Sequence, residues 1–403
     1  GWKGGPPAAC PWTMGWQSLL THGSLFELCG VSATELDSLE VKLPWASPGD
    51  ESRQGDSVGE IDRGSAYVRL VEGPSTPVRK RITAADIEVS MEQVSASIRP
   101  WESGRFGLIK RLQDASMNHG HVDMMQSHEE DGLRVAVKQM PNSWVTPGPK
   151  DFRKVHPEAV EMPWFDLGLL RQLNSVAFPY ACDLLGVFSD DENTYVMTSL
   201  ATRGDLFSWF GTQPRPGRER EAGMLPIAAQ MISAVSWLHE LGVAHRDLSL
   251  ENVLLTEDDS GELRVRLIDF GMSTTSRMCR GQALGKAVYI APEVHLESDY
   301  DAFLADAFAL GVVLFTMAAQ DYPWTTTKED ACKFFEYVNV FGFRKFLGKR
   351  RLRKGKGEHL SEVFSPLLAE LLEGLLEITP QKRLGLGESC FSHEGGRRSA
   401  WTS

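Results

Sequence analysis

The sequence predicts an α+β fold, with a small strand-rich part ahead of a larger helical part. Three short runs rich in aliphatic and β-branched residues indicate strands, at 108–112, 133–140 and 194–200. Further along, apolar residues recur at the spacing of a buried helix face, within 225–241, 303–317 and 367–378. The strand-rich part therefore precedes the helical part, and the pattern is mostly helical after residue 205.

One folded domain is predicted at residues 96–394. Residues 1–95 are rich in Gly, Pro and Ser, a composition typical of linkers and disordered segments. They are therefore predicted to be an N-terminal extension that is largely linker or disordered. Residues 395–403 are predicted to be a short tail.

The composition narrows the class of protein. The 403-residue chain has 42% hydrophobic and 24% charged residues, as soluble globular proteins do, and a net charge of -12. This charge argues against a general nucleic-acid or membrane binder, since phosphate surfaces attract basic proteins. Apolar runs long enough to span a membrane are missing, so no span is expected. The six cysteines form no C-x-x-C pair, which favours a reduced intracellular setting, cytoplasmic or nuclear, without a zinc site.

Three short motifs occur in a fixed order in the second half of the chain. Residues 245–255 read H-R-D-L-S-L-E-N-V-L-L, residues 269–271 read D-F-G, and residues 291–293 read A-P-E. A triplet alone arises often by chance. Three in order, with the first one matching H-R-D-L-x-x-x-N, are specific.

These motifs resemble those of the eukaryotic protein kinase family, over roughly residues 99–393 of this chain. The resemblance implies a bilobal kinase fold, with a small lobe of antiparallel strands and one main helix at about 99–198 and a larger helical lobe at about 199–393. Such a fold binds ATP and Mg2+ between its lobes and transfers the γ-phosphate to a protein hydroxyl. Asp247 would accept or orient the proton of that hydroxyl, and Asn252 and Asp269 would hold magnesium ions. Hard oxygen ligands of this kind suit magnesium.

By the same resemblance, the run 134–138, R-V-A-V-K, is the strand that carries the ATP-binding lysine. Lys138 would contact the α- and β-phosphates, and Ala136 would face the adenine. Active kinases pair this lysine with an acid on the next helix. Asp166 is the preferred candidate because Leu170 and Leu173 follow it at helical spacing. Glu161 remains the alternative.

The phosphate-covering loop of kinases has the pattern G-x-G-x-x-G-x-V. Residues 102–109, E-S-G-R-F-G-L-I, keep its second and third glycines but have Glu102 in place of the first. The predicted loop residues are Gly104, Phe106, Gly107 and Ile109. The polar insert 113–132, with His119, His121 and His128, is interpreted as a strand connection, with metal binding as the alternative.

The connector between the lobes is predicted to hold the adenosine part of ATP. By resemblance, Thr198 is the gatekeeper residue behind the adenine, and Ser199 and Ala201 offer it backbone hydrogen bonds. Asp205 could reach the ribose, and Leu254 would form the floor of the adenine site. Two scaffold features also match the family: an aspartate that anchors the catalytic loop and a buried ion pair, assigned to Asp306 and to Glu293 with Arg383.

One departure from the family pattern concerns charge at the γ-phosphate. Serine/threonine kinases usually carry Lys where this chain has Ser249, and Thr where it has Lys286. The two positions lie close together in the family fold. We therefore hypothesise that Lys286 is a catalytic residue that supplies the missing cation, since a lost positive charge would raise the barrier. The alternative is a solvated loop lysine.

The activation segment offers hydroxyls only near its start, at residues 273–276, and Gln282 stands at the usual phosphorylation position. Activation by phosphorylation there, with Arg246 as the phosphate receptor, is therefore unsupported. Cys279 lies between Arg277 and Arg280, which permits a low-pKa redox thiol, although an ordinary loop cysteine is the simpler interpretation.

The predicted partner is a protein substrate. Asp205 and Glu251 near the cleft suggest a basic target sequence. The basic cluster 344–356 could bind an acidic partner, act as a nuclear signal, or be a solvated face. An active serine/threonine kinase is the favoured function. A pseudokinase that binds nucleotide or acts as a scaffold is the alternative, suggested by Glu102, Asp166 and Ser249. Tyrosine specificity is less supported, because the catalytic loop lacks the tyrosine-kinase pattern.

Overall fold

A computed structural model describes residues 80–115, 120–130, 132–146, 148–281, 283–353, 357–391 and 398–400. The small lobe is built on one six-stranded sheet. Its strands are β1 (Arg99–Pro100), β2 (Phe106–Ala115), β3 (Gly120–Ser127), β4 (Arg134–Pro141), β5 (Leu184–Ser189) and β6 (Asn193–Ser199). The strand order is β1-β5-β6-β4-β3-β2, antiparallel throughout except for the parallel pair of β1 with β5.

Strand β4 gives the sheet its two faces. Val135 and Val137 are completely buried and pack with aromatic residues of β5 and β6 on one face. Successive side chains of a strand point to opposite faces, so Ala136 and Lys138 lie on the other one. This second face is the one turned toward the helical lobe, because the charge of Asp269 acts on Lys138 there.

The helices of the small lobe lie before and between the strands. They are α1 (Ala84–Ala96), α2 (Asn142–Val145), α3 (Phe152–Val155) and α4 (Pro163–Ser175). Helix α4 begins with Pro163 at its first turn, where the missing N–H costs nothing. It buries leucines at positions 167, 169, 170 and 173, as its apolar pattern predicts.

Helix α1 corrects the predicted domain organisation. Residues 84–96 fall largely within the segment predicted to be linker, yet they form thirteen residues of helix. Thr83 and Asp86 form a capping box, in which each side chain accepts the other's backbone N–H. Residues Ile87, Ser90 and Val94 then bury one face. The rest of the predicted extension, residues 1–79, lies outside the described residues.

The helical lobe surrounds one long apolar helix. Its helices are α5 (Leu206–Gly211), α6 (Arg218–Glu240), α7 (Ala302–Ala319), α8 (Lys333–Phe341), α9 (Phe343–Lys349), α10 (Leu360–Val363) and α11 (Pro366–Leu375). Helix α7 is long and apolar enough to cross a membrane by composition, but 94% of that stretch is buried inside the protein. Such burial is the environment of a core helix. The predicted order of a strand lobe followed by a helical lobe is confirmed.

Two hairpins and a short helical turn complete the helical lobe near the sheet. Strands β7 (Val253–Glu257) and β8 (Leu263–Leu267) pair as an antiparallel hairpin. Strands β9 (Met278–Arg280) and β10 (Asp299–Asp301) form a second antiparallel pair. A turn of 3-10 helix, Leu250–Asn252, leads directly into β7. The H-R-D and D-F-G motifs therefore lie on the loops that flank the 3-10 turn and the first hairpin, whereas Pro292 and Glu293 of A-P-E begin another turn of 3-10 helix.

Candidate active site

The H-R-D loop is held by a buried carboxylate of helix α7. Asp306 accepts hydrogen bonds from the backbone N–H groups of His245, at 2.7 Å, and Arg246, at 2.8 Å. Arg246 adopts a left-handed backbone conformation with φ of 66°, which costs energy unless its neighbours hold it. The two bonds from Asp306 supply that restraint, so its predicted role as the anchor of this loop is confirmed.

Asp247 and Asn252 are bonded to each other. The Nδ2 atom of Asn252 donates to both the backbone oxygen and Oδ2 of Asp247, each at 2.8 Å. This arrangement fixes the carboxylate and leaves the amide oxygen of Asn252 as an acceptor. Burial raises the pKa of Asp247, and the nearby charge of Lys286 acts in the opposite direction. The carboxylate is therefore more basic than an exposed one.

The D-F-G segment connects this loop to helix α4. Asp269 has a φ of 65°, and the ring of Phe270 is buried against His245 at a centroid distance of 5.2 Å. The backbone N–H of Phe270 donates to Oδ1 of Asp166 at 3.0 Å. The carbonyl of Gly271 accepts from the backbone N–H that precedes α4. Asp269 is thus held in a defined position by contacts on both sides.

Lys138 lies among three carboxylates. Its Nζ is 4.0 Å from Oδ2 of Asp166, at the outer limit of an ion pair, as expected for a side chain one methylene shorter than Glu. Burial lowers the pKa of Lys138, but the charges of Asp269, Asp166 and Glu161 outweigh it, and the pKa is raised. The preferred candidate Asp166 is therefore at pairing distance, and the alternative Glu161 contributes to the same cluster.

Glu161 is the member of this cluster with the most altered proton affinity. Burial first, and then the charge of Asp269, raise the pKa of Glu161 to about 7. Lys138 opposes this shift but does not cancel it. Five ionisable side chains thus act on one another within one cleft: Lys138, Glu161, Asp166, Asp247 and Asp269.

The structure contradicts the predicted phosphate-covering loop. On strand β3, Val122 pairs with Lys138, whereas Ser127 pairs with Phe106. Along β3, Val122 and Ser127 are five residues apart, a distance of about 16 Å. Gly104 and Gly107 therefore lie at the end of the sheet away from Lys138.

Phe106 also lies on the wrong face of the sheet for a role in the phosphate-covering loop. Phe106 stacks on Trp101 at 5.6 Å and packs with Val135 and Val137, opposite the Lys138 face. Ile109 is 43% exposed. Gly107 has a local reason instead. A Cβ on Gly107 would lie 2.7 Å from Nε2 of His128, whose Nδ1 donates to the carbonyl of Gly104.

The hairpin between β2 and β3 occupies the level of Lys138. Its last paired residues are Ala115 and Gly120, and the connecting residues 116–119 lie outside the described residues. Gly120 begins β3 two residues before Val122, which pairs with Lys138. The number of residues between Gly107 and Lys138 could have revealed this error from the sequence alone. Thirty-one positions separate residues 107 and 138, too many for one strand and a short hairpin turn.

The predicted connector residues lie at the end of strand β6 and in the segment that follows it. Thr198 pairs with Ala136 across β6 and β4, next to the lysine strand. Ser199 follows at the end of β6, where its backbone N–H donates to the carbonyl of Asp183 at 2.9 Å. Ala201 comes two residues later, in the segment that leads to helix α5.

Asp205 and Leu254 meet at the entrance of the same cleft. They form a backbone bridge between the connector and strand β7. The Asp205 side chain caps helix α5, accepting from the backbone N–H and the hydroxyl of Ser208. Contact with a ribose would therefore compete with this cap, a role that the sequence alone did not indicate.

Lys286 and Ser249 are in direct contact. Nζ of Lys286 donates to Oγ of Ser249 at 2.7 Å and lies 3.1 Å from Oε2 of Glu251. The preceding Gly285 has a φ of 89°, and a Cβ there would lie 2.9 Å from Oδ1 of Asp247. The activation segment thus runs closely past the catalytic loop and brings the ammonium of Lys286 beside it.

Two buried ionic clusters support the site from below. Arg383 makes two hydrogen bonds to the carboxylate of Glu293, at 2.6 and 2.9 Å, which confirms the predicted ion pair. His239 is buried between Asp306, at 3.0 Å, and Glu388, at 2.7 Å. Both ring nitrogens donate to carboxylates only when the imidazole is charged. Sequence reasoning missed this cluster, because residue 388 is 149 positions from residue 239.

The His239 cluster predicts how stability depends on pH. Burial lowers the pKa of His239, but the bonds to Asp306 and Glu388 dominate and raise it to about 9. Because the folded pKa exceeds the unfolded one, the contribution is complete below about pH 6.5 and is lost as pH rises through about 9. We expect the free energy of unfolding to fall by about 3 kcal/mol across this window from this group.

Chemical denaturation between pH 6 and pH 9.5 measures this loss. The matched variant is His239→Gln, which keeps a donor and cannot gain charge. It should be less stable than the wild type at pH 6.5, and the difference between the two proteins should shrink toward pH 9.5. A difference that stays constant over this range would show that His239 does not titrate in the folded state.

Several other features predicted from the sequence are contradicted by the structure or find no support in it. Burial raises the pKa of Cys279, which contradicts a low-pKa redox thiol. Ser273 is buried and its hydroxyl donates to the carbonyl of His245, while Gln282 lies outside the described residues. Within the described ranges, no group of three or more His, Cys, Asp or Glu side chains could hold a metal. The proposed metal site at His121 and His128 therefore has no such cluster.

The basic cluster is partly neutralised. Arg344 pairs with Glu373 at 2.7 Å, and Arg350 and Arg353 both pair with Asp321. Residues 354–356 lie outside the described residues. Several of its charges are therefore engaged with this chain's own acids.

The cleft has the donor set that a phosphate-bound magnesium ion needs. Mg2+ prefers oxygen ligands and is usually held by one or two protein side chains together with substrate phosphates. Asp269 offers a carboxylate and Asn252 an amide oxygen, and Lys138 offers a cation for the phosphates. The residues present therefore fit magnesium bound together with a nucleotide.

Comparisons with known proteins place these residues in a wider context. The family described as protein kinase domain matches residues 119–394. The chain is 32% identical over 221 residues to CBL-interacting serine/threonine-protein kinase 13 of Arabidopsis thaliana, which covers 54% of this chain and 39% of that protein. It is 36% identical over 216 residues to CBL-interacting serine/threonine-protein kinase 26 of the same plant, with 52% and 44% covered.

A relative from an animal is similar to the same degree. Serine/threonine-protein kinase grp of Drosophila melanogaster is 32% identical over 222 residues, covering 54% of this chain and 39% of that protein. The chain spans only about two fifths of the length of these curated relatives. The match to the family begins after residues 104–107, in agreement with the strand register that excludes them from the site.

Proposed function

Since this chain belongs to the protein kinase domain family, we propose that it transfers the γ-phosphate of Mg-ATP to serine or threonine hydroxyls of protein substrates. The observation that carries this proposal is the convergence of Lys138, Asp247, Asn252 and Asp269 on one cleft. The matched relatives are named serine/threonine-protein kinases. Each of these four residues is of the type that the kinase motifs have at that position.

Each residue has a part that its surroundings support. Lys138 binds the phosphates of ATP, and the adjacent carboxylates keep it charged. Asp247, made more basic by burial, accepts the proton of the substrate hydroxyl, while Asn252 holds its carboxylate in place. Asn252 and Asp269 would hold Mg2+, which supplies positive charge against the phosphates when bound. Thr198, Ser199, Ala201 and Leu254 would line the adenine site.

Lys286 is proposed as the cation that replaces the usual catalytic-loop lysine. Its Nζ is within 2.7 Å of the hydroxyl of Ser249, the residue that stands where that lysine is expected. Its charge also reaches Asp247, whose pKa it lowers against the effect of burial. These contacts support the proposal that this ammonium replaces the missing one although it comes from a different segment.

The charges at the cleft refine the proposed substrate. Glu251 is paired with Lys286, and the carboxylate of Asp205 is used in a helix cap. These two acids therefore attract a basic target sequence only weakly, and we propose protein substrates without assigning their charge. An acidic partner would have to bind the part of the basic cluster 344–356 that is not paired internally.

We propose an intracellular location, since the described cysteines are free thiols.

The names of the plant relatives say that those proteins interact with CBL proteins. The matched part covers 39–44% of their length. We therefore propose no such partner for this chain, because the match reaches no further than the kinase domain.

A transfer assay tests the proposed function directly. The wild-type chain is incubated with radiolabelled ATP, Mg2+ and a generic basic protein, and phosphoamino acids are analysed. We expect label on serine and threonine, abolished by EDTA and restored by excess Mg2+. The alternative function, a pseudokinase, would instead show thermal stabilisation by ATP with no label transferred at any magnesium concentration.

A further inference from the structure

Helix α1 lies outside the region matched by the protein kinase family, which begins at residue 119. It nevertheless packs directly on helix α4, the helix that carries Asp166. The contact is made at Gly168, two residues after Asp166. A Cβ at this position would lie 2.6 Å from Cγ of Met91 and 3.0 Å from the carbonyl of Ile87.

Polar bonds fix the register of the two helices. Nε2 of Gln172 donates to the carbonyl of Asp86 at 3.0 Å and to the hydroxyl of Ser90 at 2.6 Å. Ser90 is 2% exposed, so its bond to Gln172 is made away from water, where an unpaired hydroxyl is costly. One turn further, Nε of Arg171 donates to Gln93. The pairing therefore has one preferred alignment.

The segment before α1 is fastened to the helical lobe. The backbone N–H of Ile82 donates to the carbonyl of Leu241 at 2.7 Å, just after helix α6 ends. The side chains of Ile82 and Ile87 belong to the core that the helical lobe shares with part of α4, and both are buried. Val94, at the other end of α1, is buried in the small-lobe core instead.

Residues 80–96 thus connect the two lobes on the side of helix α4. Asp166 must stay near Lys138 and Phe270 for the proposed reaction, and both contacts depend on where α4 lies. The ion pair itself, at 4.0 Å, is too long to hold the helix firmly. Packing against α1 supplies the restraint that this shortened side chain does not.

We propose that residues 80–96 form an intramolecular latch that holds helix α4, and with it Asp166, in the position needed for phosphate transfer. Ile87, Gly168 and Gln172 are its positioning residues, and they act through Asp166 without touching the nucleotide. The inference rests on the proposed kinase function for its activity readout. Its mechanical part, the restraint of α4 by α1, can be measured separately.

Two matched substitutions on α1 test the latch in the full chain. Ile87→Asp puts a carboxylate where the side chain is 1% exposed, whereas Val89→Asp makes the same change where it is 54% exposed. We expect Ile87→Asp to lower kcat at least about tenfold and Val89→Asp to change it by no more than about twofold. Hydrogen exchange of the α4 amides should become faster in Ile87→Asp only.

A milder substitution guards against misfolding of the first one. Gln172→Ala removes two bonds across the helix pair without burying a charge. It should lower kcat by about threefold and speed exchange of the α4 amides, with the melting temperature of the rest of the protein retained.

A disulfide across the helices provides rescue. Cysteines in Met91→Cys and Gly168→Cys would bring their sulfurs within bonding range after a small shift, given the 2.6 Å approach. In the Ile87→Asp background, oxidation should restore kcat and dithiothreitol should remove it again. Met91→Cys alone is the control for oxidation of other cysteines.

Wild-type kcat and unchanged α4 exchange in both Ile87→Asp and Gln172→Ala would overturn the latch. Faster α4 exchange with unchanged kcat would also overturn it, since the position of α4 would then not matter for transfer. If the wild type transfers no phosphate, the proposed function fails on its own. In that case hydrogen exchange still decides whether α1 restrains α4.

Discussion

Replacing Asp269 with Asn is expected to lower the rate of phosphate transfer by about 10³-fold, or about 4 kcal/mol of transition-state stabilisation. Asparagine keeps the shape of the side chain but removes its charge, so the proposed magnesium site would lose its charged protein ligand. The backbone should tolerate the change, because Asp269 has a φ of 65° and Asn adopts this region readily. Single-turnover transfer of radiolabelled phosphate measures the loss.

A second readout shows that the variant is folded and that the cluster has the described geometry. The charge of Asp269 helps raise the pKa of Glu161 to about 7. Asp269→Asn should therefore lower the pKa of Glu161, measured by carbon-13 NMR of labelled glutamate. Transfer that continues at the wild-type rate in this variant would assign the activity to a contaminant or to a mechanism without Asp269.

The second large effect is expected at Lys286, the cation proposed to replace the usual catalytic-loop lysine. Lys286→Ala should lower kcat by about 100-fold, since it removes one fixed positive charge beside the transferred group. Lys286→Arg, which keeps the charge, is the matched control and should lose much less. Unchanged turnover in Lys286→Ala would show that this residue is a solvated loop lysine, as its 44% exposed side chain allows.

Substituting positions 249 and 286 singly and together gives a sharper test of this proposal. Ser249→Lys alone would place two ammonium groups in contact, because Nζ of Lys286 already lies 2.7 Å from the Ser249 hydroxyl. This single variant should lose activity. The double variant Ser249→Lys with Lys286→Thr restores the usual family arrangement and should recover most of it. Strict additivity of the two changes would show that the positions do not share one function.

Much of the site could be predicted from local motifs. Asp247, Asn252 and Asp269 were recognisable because each is embedded in a short pattern that a loop between rigid elements imposes. Lys138 was recognisable because it ends an apolar strand upstream of those patterns. The structure brings these four side chains to one cleft: the charge of Asp269 acts on both Lys138 and Asp247, and Asn252 is hydrogen-bonded to Asp247.

The glycine loop shows where such reasoning failed. Gly104 and Gly107 have the right spacing, but spacing does not say which end of a strand faces the lysine. The hydrogen-bond register between β2, β3 and β4 decides that question. Gly107 instead makes room for His128, a contact between residues more than twenty positions apart that no local pattern records.

The sequence by itself determined the family, the order of the lobes and the chemistry of the catalytic loop, since these depend on residues close together in the chain. Only the tertiary structure decided the register of the sheet, the contact of Lys286 with Ser249 and the packing of helix α1 on α4. Each of these joins segments far apart in sequence, and their meeting depends on the burial of side chains from several elements at once. Such contacts are properties of the packed core, which no single segment contains.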